Sequence, residues 1–159
     1  MPVRKLKEFL DGHRVKYVTI SHSPAFTAQE IAASAHISGR DVAKTVIVKI
    51  DDEMAMAVLP ATEKLFCDFL KEATGAEHVE LATEREFQDR FPGCELGAMP
   101  PFGNLYDMEV YVSDRLSAHH DIAFNAGSHT ELMKLPYDDF ERLVNPHVMA
   151  LAYSDAALA

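Results

Sequence analysis

Residues 44–60 constrain the fold more than any other part of this sequence. They read KTVIVKI, then the acidic turn Asp51-Asp52-Glu53, then MAMAVLP. Two apolar, partly β-branched runs on either side of a short polar turn are typical of a β-hairpin. Both runs are apolar enough to be central strands, so the chain is predicted to build a sheet around this hairpin.

The other elements follow from periodicity and from residues that begin or end helices. Helices are predicted over residues 3–11, 28–37, 63–74, 84–91 and 137–144, and strands over residues 16–21, 44–50, 54–60, 78–82, 108–114, 121–127 and 130–135. The pairs Thr27/Glu30 and Thr83/Glu86 fit capping boxes, and Gly75 fits a helix end. Short connections between several strands favour an α+β (mixed α/β) fold, with a central, mostly antiparallel mixed β-sheet flanked by helices in one domain over residues 1–159.

Charge limits the classes of partner. The chain carries a net charge of −10, which argues against broad nonspecific attraction to nucleic acid or acidic lipid. Within residues 1–16, however, five basic residues oppose two acidic ones, a local charge of +3, so the rest of the chain carries −13. This basic segment fits either a solvated amphipathic helix or an edge that contacts phosphates.

Compartment and cofactors are indicated by patterns that the sequence lacks. It contains neither an apolar stretch of about 20 residues nor a signal-peptide core, so we expect a cytoplasmic protein with no membrane contact. Cys67 and Cys94 are too few for a disulfide framework, and Cys67 fits packing better than chemistry. Metal-ligand spacings and glycine motifs for nucleotides are absent, so no metal or other cofactor is predicted.

Three places carry candidate chemistry, and each has a plain structural alternative. Lys44, at the entrance of the first hairpin strand, is either a solvated end residue or a fixed positive charge that holds a phosphate or a carbonyl oxygen. Residues 97–103, GAMPPFG, combine glycines that permit close backbone approach with stiffening prolines. This loop either directs amides at an oxyanion or simply covers the end of the sheet.

The third place is the segment FNAGSHT, residues 124–130. His129 is either an acid–base group or an ordinary polar loop residue. Ser128 lacks the G-x-S-x-G elbow of hydrolases, and no acidic residue has a recognisable triad spacing, so a Ser-His-Asp triad is weakly supported.

Four segments in this order form a recognisable combination: SHSPAFTAQEIA, then Val42-Ala43-Lys44-Thr45 entering a strand, then GAMPPFG, then FNAGSHTELMKL. Over about residues 15–150 they resemble the YbaK/prolyl-tRNA-synthetase-associated domain family. The resemblance implies a mixed α/β fold and hydrolysis of the ester that joins a wrong amino acid to tRNA. It also implies that Lys44 is the family's functional lysine, that Gly97 to Pro101 is its glycine-proline loop, and that residues 125–129 help to select the amino acid.

The site implied by this resemblance has a catalytic and a binding part. The expected catalytic residues are Lys44, Gly97 and His129, and the expected substrate-binding residues are Phe26, Thr27, Met99, Pro100, Pro101, Phe102, Asn125, Gly127 and Ser128. Lys44 would anchor the terminal adenosine phosphate or the carbonyl, amides of the Gly97 loop would help to hold the carbonyl, and a ribose hydroxyl would assist the attacking water. The family varies at the position of His129, which leaves open whether this residue is catalytic or only shapes the pocket.

The expected substrate is a tRNA acceptor end that carries alanine, serine or cysteine. One methylene changes binding by only about 1–3 kcal/mol, so a separate enzyme that hydrolyses small misacylated products is chemically sensible. An aminoacyl-tRNA synthetase is a further expected partner, and a monomer is the default state. Two alternatives stay open: a catalytically silent module that binds aminoacyl-tRNA or amino acids, and an esterase for small molecules, which the acidic charge favours.

Overall fold

The computed structural model describes residues 2–21, 42–95, 97–116 and 121–153. Within these ranges the helices are α1 (Pro2–Gly12), α2 (Cys67–Thr74), α3 (Glu84–Phe87) and α4 (Tyr137–Val144), with short 3-10 helices at Gln88–Arg90 and Gly103–Leu105. The strands are β1 (Val18–Ser21), β2 (Ala43–Ile50), β3 (Glu53–Pro60), β4 (Lys64–Leu65), β5 (Val79–Leu81), β6 (Glu109–Ser113), β7 (Asp121–Asn125), β8 (Glu131–Pro136), β9 (His147–Met149) and β10 (Ala152–Tyr153). The predicted helix over residues 28–37 and its Thr27/Glu30 capping box lie outside the described residues.

The predicted hairpin is confirmed and lies at the centre of a five-stranded sheet. The strand order is β5-β2-β3-β6-β9, in which β5, β2 and β3 pair antiparallel and β3, β6 and β9 pair parallel. The turn is one residue shorter than predicted, because Glu53 already pairs with Ile50. Asp51 and Asp52 form the turn with φ angles of 48° and 71°, a left-handed conformation that short polar side chains tolerate.

A second, antiparallel sheet has the strand order β1-β8-β7. Among the described residues, it meets the five-stranded sheet at one isolated parallel bridge between Val42, just before β2, and Ala123 in β7. The predicted class of fold, a mixed α/β protein with largely antiparallel sheets and flanking helices, is confirmed. The bridge brings the start of β2 beside the middle of β7.

The two faces of the five-stranded sheet cover different cores. Ile47 and Met56 face the larger core. In this core the ring centroid of Phe102 lies 5.6 Å from that of Phe124 and 5.5 Å from that of Phe140. The opposite face carries a smaller core, formed by Val48, Ala55, Ala57, Leu59, Leu70 and Leu151. Because side chains alternate along a strand, odd residues of β2 face the larger core and even residues face the smaller one.

The predicted helix over residues 63–74 begins later than its apolar spacing suggests. Lys64 and Leu65 pair with Tyr153 and Ala152, and the N–H of Phe66 donates to the carbonyl of Leu151 at 2.9 Å, so this segment is a short strand. The helix starts only at Cys67, and Phe66 remains 42% exposed. Its end is as predicted, with Gly75 in the left-handed conformation at φ 72°.

The helix predicted over residues 84–91 has the expected start and a different body. The capping box is confirmed: the N–H of Glu86 donates to the Thr83 hydroxyl at 3.3 Å, and the N–H of Thr83 donates to the Glu86 carboxylate at 2.9 Å. After Phe87 the chain tightens into the 3-10 helix Gln88–Arg90. The short strands β4, β9 and β10 were not predicted.

Candidate functional site

Two segments that carry predicted site residues are joined by backbone hydrogen bonds. We call residues 97–103 the glycine-proline loop and residues 125–130 the histidine loop. The N–H of Gly127 donates to the carbonyl of Ala98 at 2.9 Å, and the N–H of Glu95 donates to the carbonyl of Gly127 at 2.8 Å. The Glu95 carboxylate also accepts the N–H of His129 at 2.9 Å. The structure therefore brings Gly97, Gly127, Ser128 and His129 to one place.

The backbone conformation of Gly97 favours glycine, and the residue lies against the imidazole of His129. Its φ angle is +87°, in the region that favours glycine, and a Cβ atom built on it would lie 3.4 Å from Cε1 of His129. The residue itself is exposed. Its backbone therefore lies open beside the imidazole, where a ligand can approach the main chain. The neighbouring amide of Ala98 is not available for this, because it donates to the carbonyl of Glu95 at 3.0 Å.

The remainder of the glycine-proline loop is buried. Ala98, Met99, Pro100, Pro101 and Phe102 all have buried side chains. Phe102 has no exposed surface, and it packs between aromatic rings of the larger core. Met99 and Phe102, which were expected to bind substrate, both pack in the larger core. Pro100 and Pro101 make the buried part of the loop rigid, and the Gly97 end of the loop is exposed to solvent.

Asn125, the last residue of β7, carries an unsatisfied polar atom. Its Oδ1 is buried and, within the described part of the chain, accepts no hydrogen bond. Such an atom loses its hydration without compensation, so it is a natural acceptor for a bound donor. The hydroxyl of Ser128, by contrast, lies 3.2 Å from that of Thr130 and accepts the N–H of Thr130 at 3.3 Å. Ser128 is thus engaged within the histidine loop.

Lys44 lies close in the chain to the junction between the two sheets. It is the second residue of β2, and it pairs with Leu59 on the face of the smaller core. Val42 and Ala123 form an isolated parallel bridge, and Lys44 and Asn125 each follow it by two residues, so the bridge brings together the two segments that carry them. Lys44 is half-buried. It therefore does not stand in bulk solvent as a simple strand-end lysine does.

The protonation of Lys44 reflects this setting. Burial lowers the pKa of its ammonium group, the nearby carboxylate of Glu63 opposes that shift, and the charge of Lys64 adds to it. Both thiols are less reactive than a free cysteine, because burial raises the pKa of Cys67 and of Cys94. Neither cysteine is thus suited to act as a nucleophile.

The basic N-terminal segment is largely occupied by contacts within the chain. Lys5 donates to the carbonyl of Leu105 at 2.8 Å, Lys7 lies 3.5 Å from the carboxylate of Glu131, and Arg4 lies 3.2 Å from that of Glu8. These contacts favour the amphipathic helix over the phosphate-contacting edge for this part of the chain.

Some predicted features lie elsewhere or were missed. Phe26 and Thr27 lie outside the described residues. Among the residues that are described, no three His, Cys, Asp or Glu side chains cluster as metal ligands do, and no helix is long and apolar enough to cross a membrane. The sequence interpretation missed Glu95, whose only signal is its place before the glycine-proline loop. It also missed Glu63, which it assigned to a helix.

Comparison with known proteins shows which family the chain matches. The family model described as aminoacyl-tRNA editing domain matches residues 22–143. The proline–tRNA ligase of Bacillus subtilis (strain 168) is 31% identical over 98 residues, which are 61% of this chain and 17% of the ligase. That of Streptococcus gordonii is 33% identical over 89 residues, 56% of this chain and 14% of the ligase. The chain thus corresponds to only a small part of these relatives.

Solved structures show the same fold. A proposed trans-editing enzyme for prolyl-tRNA synthetase superposes with a TM-score of 0.81 at 16% identity, covering 96% of this chain and 98% of that one. A hypothetical protein superposes with a TM-score of 0.81 at 20% identity, covering 94% and 99%. At these identities the likeness concerns the fold alone.

Proposed function

The chain belongs to the aminoacyl-tRNA editing domain family, and we propose that it hydrolyses the ester between tRNA and a small, wrongly attached amino acid of the alanine, serine and cysteine class. Water adds to the carbonyl carbon, the bond from that carbon to the ribose oxygen breaks, and the ribose oxygen takes up a proton. The products are a free amino acid and an uncharged tRNA.

The observation that carries this proposal is the unsatisfied Oδ1 of Asn125, two residues beyond the bridge that joins its strand to the segment of Lys44. An aminoacyl ester presents a cationic α-ammonium group with three N–H donors. Asn125 supplies a buried neutral acceptor for one of them. Lys44 supplies a positive charge for the other end of the same unit, the carbonyl oxygen or the terminal phosphate. A half-buried ammonium acts more strongly there than an exposed one, since the local dielectric constant is lower.

A protein nucleophile is not required. An aminoacyl ester is already activated, so positioned water and a stabilised carbonyl oxygen are sufficient. We assign carbonyl binding to the amide of Gly97 together with the Lys44 ammonium, because the Ala98 amide is already used. The ribose hydroxyl next to the ester orients the water.

Selection of a small amino acid follows from the contact between the two loops. The imidazole of His129 lies close to the open face of Gly97, which leaves little space for a long side chain between them. Glu95 fixes this spacing through the backbone of Gly127 and His129. We therefore assign His129 to the wall of the pocket. The tRNA acceptor end is the expected partner, and a synthetase that delivers it is a further one.

A panel of mischarged tRNAs tests this function. Lys44→Ala is expected to lower the rate of deacylation by about 100-fold, the usual effect of removing one group that stabilises the transition state. Lys71→Ala, which alters an exposed lysine of α2, is the matched control and should retain the full rate. The thermal melts of both variants should stay close to that of the native protein.

The result also separates the alternatives. Equal rates for Lys44→Ala and Lys71→Ala would remove Lys44 from the mechanism. If the native protein cleaves no aminoacyl ester but binds aminoacyl-tRNA, the chain is a binding module. Cleavage of small esters alone would identify an esterase without an RNA partner.

A further inference from the structure

Glu63 is a buried carboxylate that the proposed mechanism does not use. Its side chain belongs to a residue that is only 4% exposed, and it is the one charged residue in the described ranges that is buried to this degree. Taking an ionised carboxylate out of water is costly unless cations or hydrogen-bond donors surround it. The buried position of this carboxylate therefore requires such partners.

Arg115 is the direct partner. Its Nη1 lies 3.2 Å from Oε1 of Glu63, and its side chain remains 45% exposed. The backbone of Arg115 is itself fixed, since its N–H donates to the hydroxyl of the fully buried Ser113 at 3.2 Å. The N–H of Asp114 donates to the carbonyl of Met149 at 2.9 Å. The ion pair thus joins the turn after β3 to the turn after β6.

The turn that carries Glu63 folds onto the start of β2. The N–H of Ala61 donates to the carbonyl of Val42 at 2.8 Å, and the N–H of Glu63 donates to the carbonyl of Pro60 at 3.0 Å. Lys44 is two residues from that anchor and pairs with Leu59, the residue before Pro60. The carboxylate is therefore held on the same corner of the sheet as the Lys44 ammonium group.

We propose that the Glu63 carboxylate, which Arg115 holds in place, is a positioning element for Lys44: it attracts the ammonium group and directs it at the substrate. The effect of this interaction on catalysis rests on the proposed function, whereas its electrostatic effect on Lys44 does not. The charged groups of the described residues that act on Lys44 are Glu63 and Lys64, and Arg115 acts through Glu63. Glu63 favours the ammonium form and Lys64 disfavours it. Arg115 limits how much of the Glu63 charge Lys44 receives.

Competitive labelling of lysines with trace acetic anhydride at mildly alkaline pH tests the proposal. Only the neutral amine reacts, so the labelling of Lys44 relative to Lys71 reports its protonation. Glu63→Gln should speed the labelling of Lys44 by about threefold or more, because loss of the carboxylate favours the neutral amine. Arg115→Gln should slow it, because Glu63 then acts on Lys44 alone. Glu109→Gln, at an exposed carboxylate of β6, is the control and should leave it unchanged.

Labelling of Lys44 that changes in opposite directions in the two variants distinguishes an electrostatic role of Glu63 from a purely structural one. A loosened corner would expose Lys44 and speed labelling in both variants. Labelling that changes in the same direction in both, or stays unchanged in either, overturns the proposal. If Glu63→Gln does not fold, the direction seen with Arg115→Gln decides alone.

Deacylation provides a second readout. Glu63→Gln should lower kcat more than it raises KM, because substrate still binds while the ammonium group of Lys44 is no longer directed at the reacting carbonyl. A rise in KM with unchanged kcat would contradict the positioning role. If the native protein cleaves no ester, the proposed function fails, and the labelling ratios still decide whether the ion pair controls Lys44.

Discussion

Replacing Gly97 with alanine tests whether the backbone of the glycine-proline loop belongs to the site. The residue has a φ angle of +87°, where a Cβ atom costs about 1–2 kcal/mol. The new methyl group would lie 3.4 Å from Cε1 of His129, an ordinary van der Waals distance that adds little strain. The expected loss in the free energy of unfolding is therefore about 1–2 kcal/mol, which lowers Tm by about 2–8 °C for a chain of this length.

Gly75 provides a matched control. Its φ angle is +72°, and a Cβ atom built there meets no atom within 4 Å. Gly75→Ala at the end of α2 should thus lose a similar free energy of unfolding for the same backbone reason. Only Gly97→Ala adds a methyl group where the carbonyl and side chain of the substrate are proposed to lie. Its kcat/KM should fall by about tenfold or more, since small displacements of reacting groups are costly.

The comparison requires thermal melts and deacylation rates for both variants. If Gly97→Ala loses stability as Gly75→Ala does and deacylates equally well, the backbone at Gly97 does not contact the reacting ester. If Gly97→Ala loses no stability, the strain argument for its positive φ is wrong.

Three further predictions concern neighbouring groups. Glu95→Ala should speed hydrogen exchange at the His129 amide by about fivefold, the equivalent of 1 kcal/mol, and Glu95→Gln, which keeps an acceptor, should not; equal exchange in both would contradict an anchoring role for Glu95. The pKa of Glu86 is lowered to about 2, mainly by the hydrogen bond from Lys49. The contribution of ionised Glu86 to stability is therefore present above about pH 4.5 and is lost as the pH falls toward 2. Melts of Glu86→Gln and native protein should differ near neutral pH and converge in acid, and a constant difference would refute this. Log KM for a tRNA substrate should rise with log salt at a slope of about 2, as expected when roughly three cations contact phosphates; a slope above about 5 would indicate a larger interface.

Local signals were sufficient for the elements that depend on neighbouring residues. The hairpin around Asp51 and Asp52 is encoded by two apolar runs and a polar turn, and the start of α3 by the Thr83/Glu86 pair. The start of α2 was wrong because Phe66 has helical spacing while its N–H is used by Leu151, a partner 85 positions later. No local pattern reports such a partner.

The site shows the same division. Glycine, proline and histidine identified two loops, yet only the tertiary structure shows Glu95 joining them. The segments that carry Lys44 and Asn125 come together through the bridge between Val42 and Ala123, which joins parts of the chain far apart in the sequence. Pairing of distant strands depends on burial across the whole sheet, so residue type and spacing do not specify it.

An acidic chain and a tRNA substrate are compatible when the positive charge is concentrated at one corner. Arg115 pairs with Glu63, and Glu63 and Lys64 both act electrostatically on Lys44, so three basic residues are brought to one part of a chain of net charge −10. At physiological salt a charge is screened beyond about 8 Å, so this corner and not the net charge determines what a phosphate experiences there. The net negative charge of the chain then disfavours contact with the rest of the tRNA. Under the proposed function, the same charge pattern that weakens overall binding directs the acceptor end, rather than the body of the molecule, to Lys44.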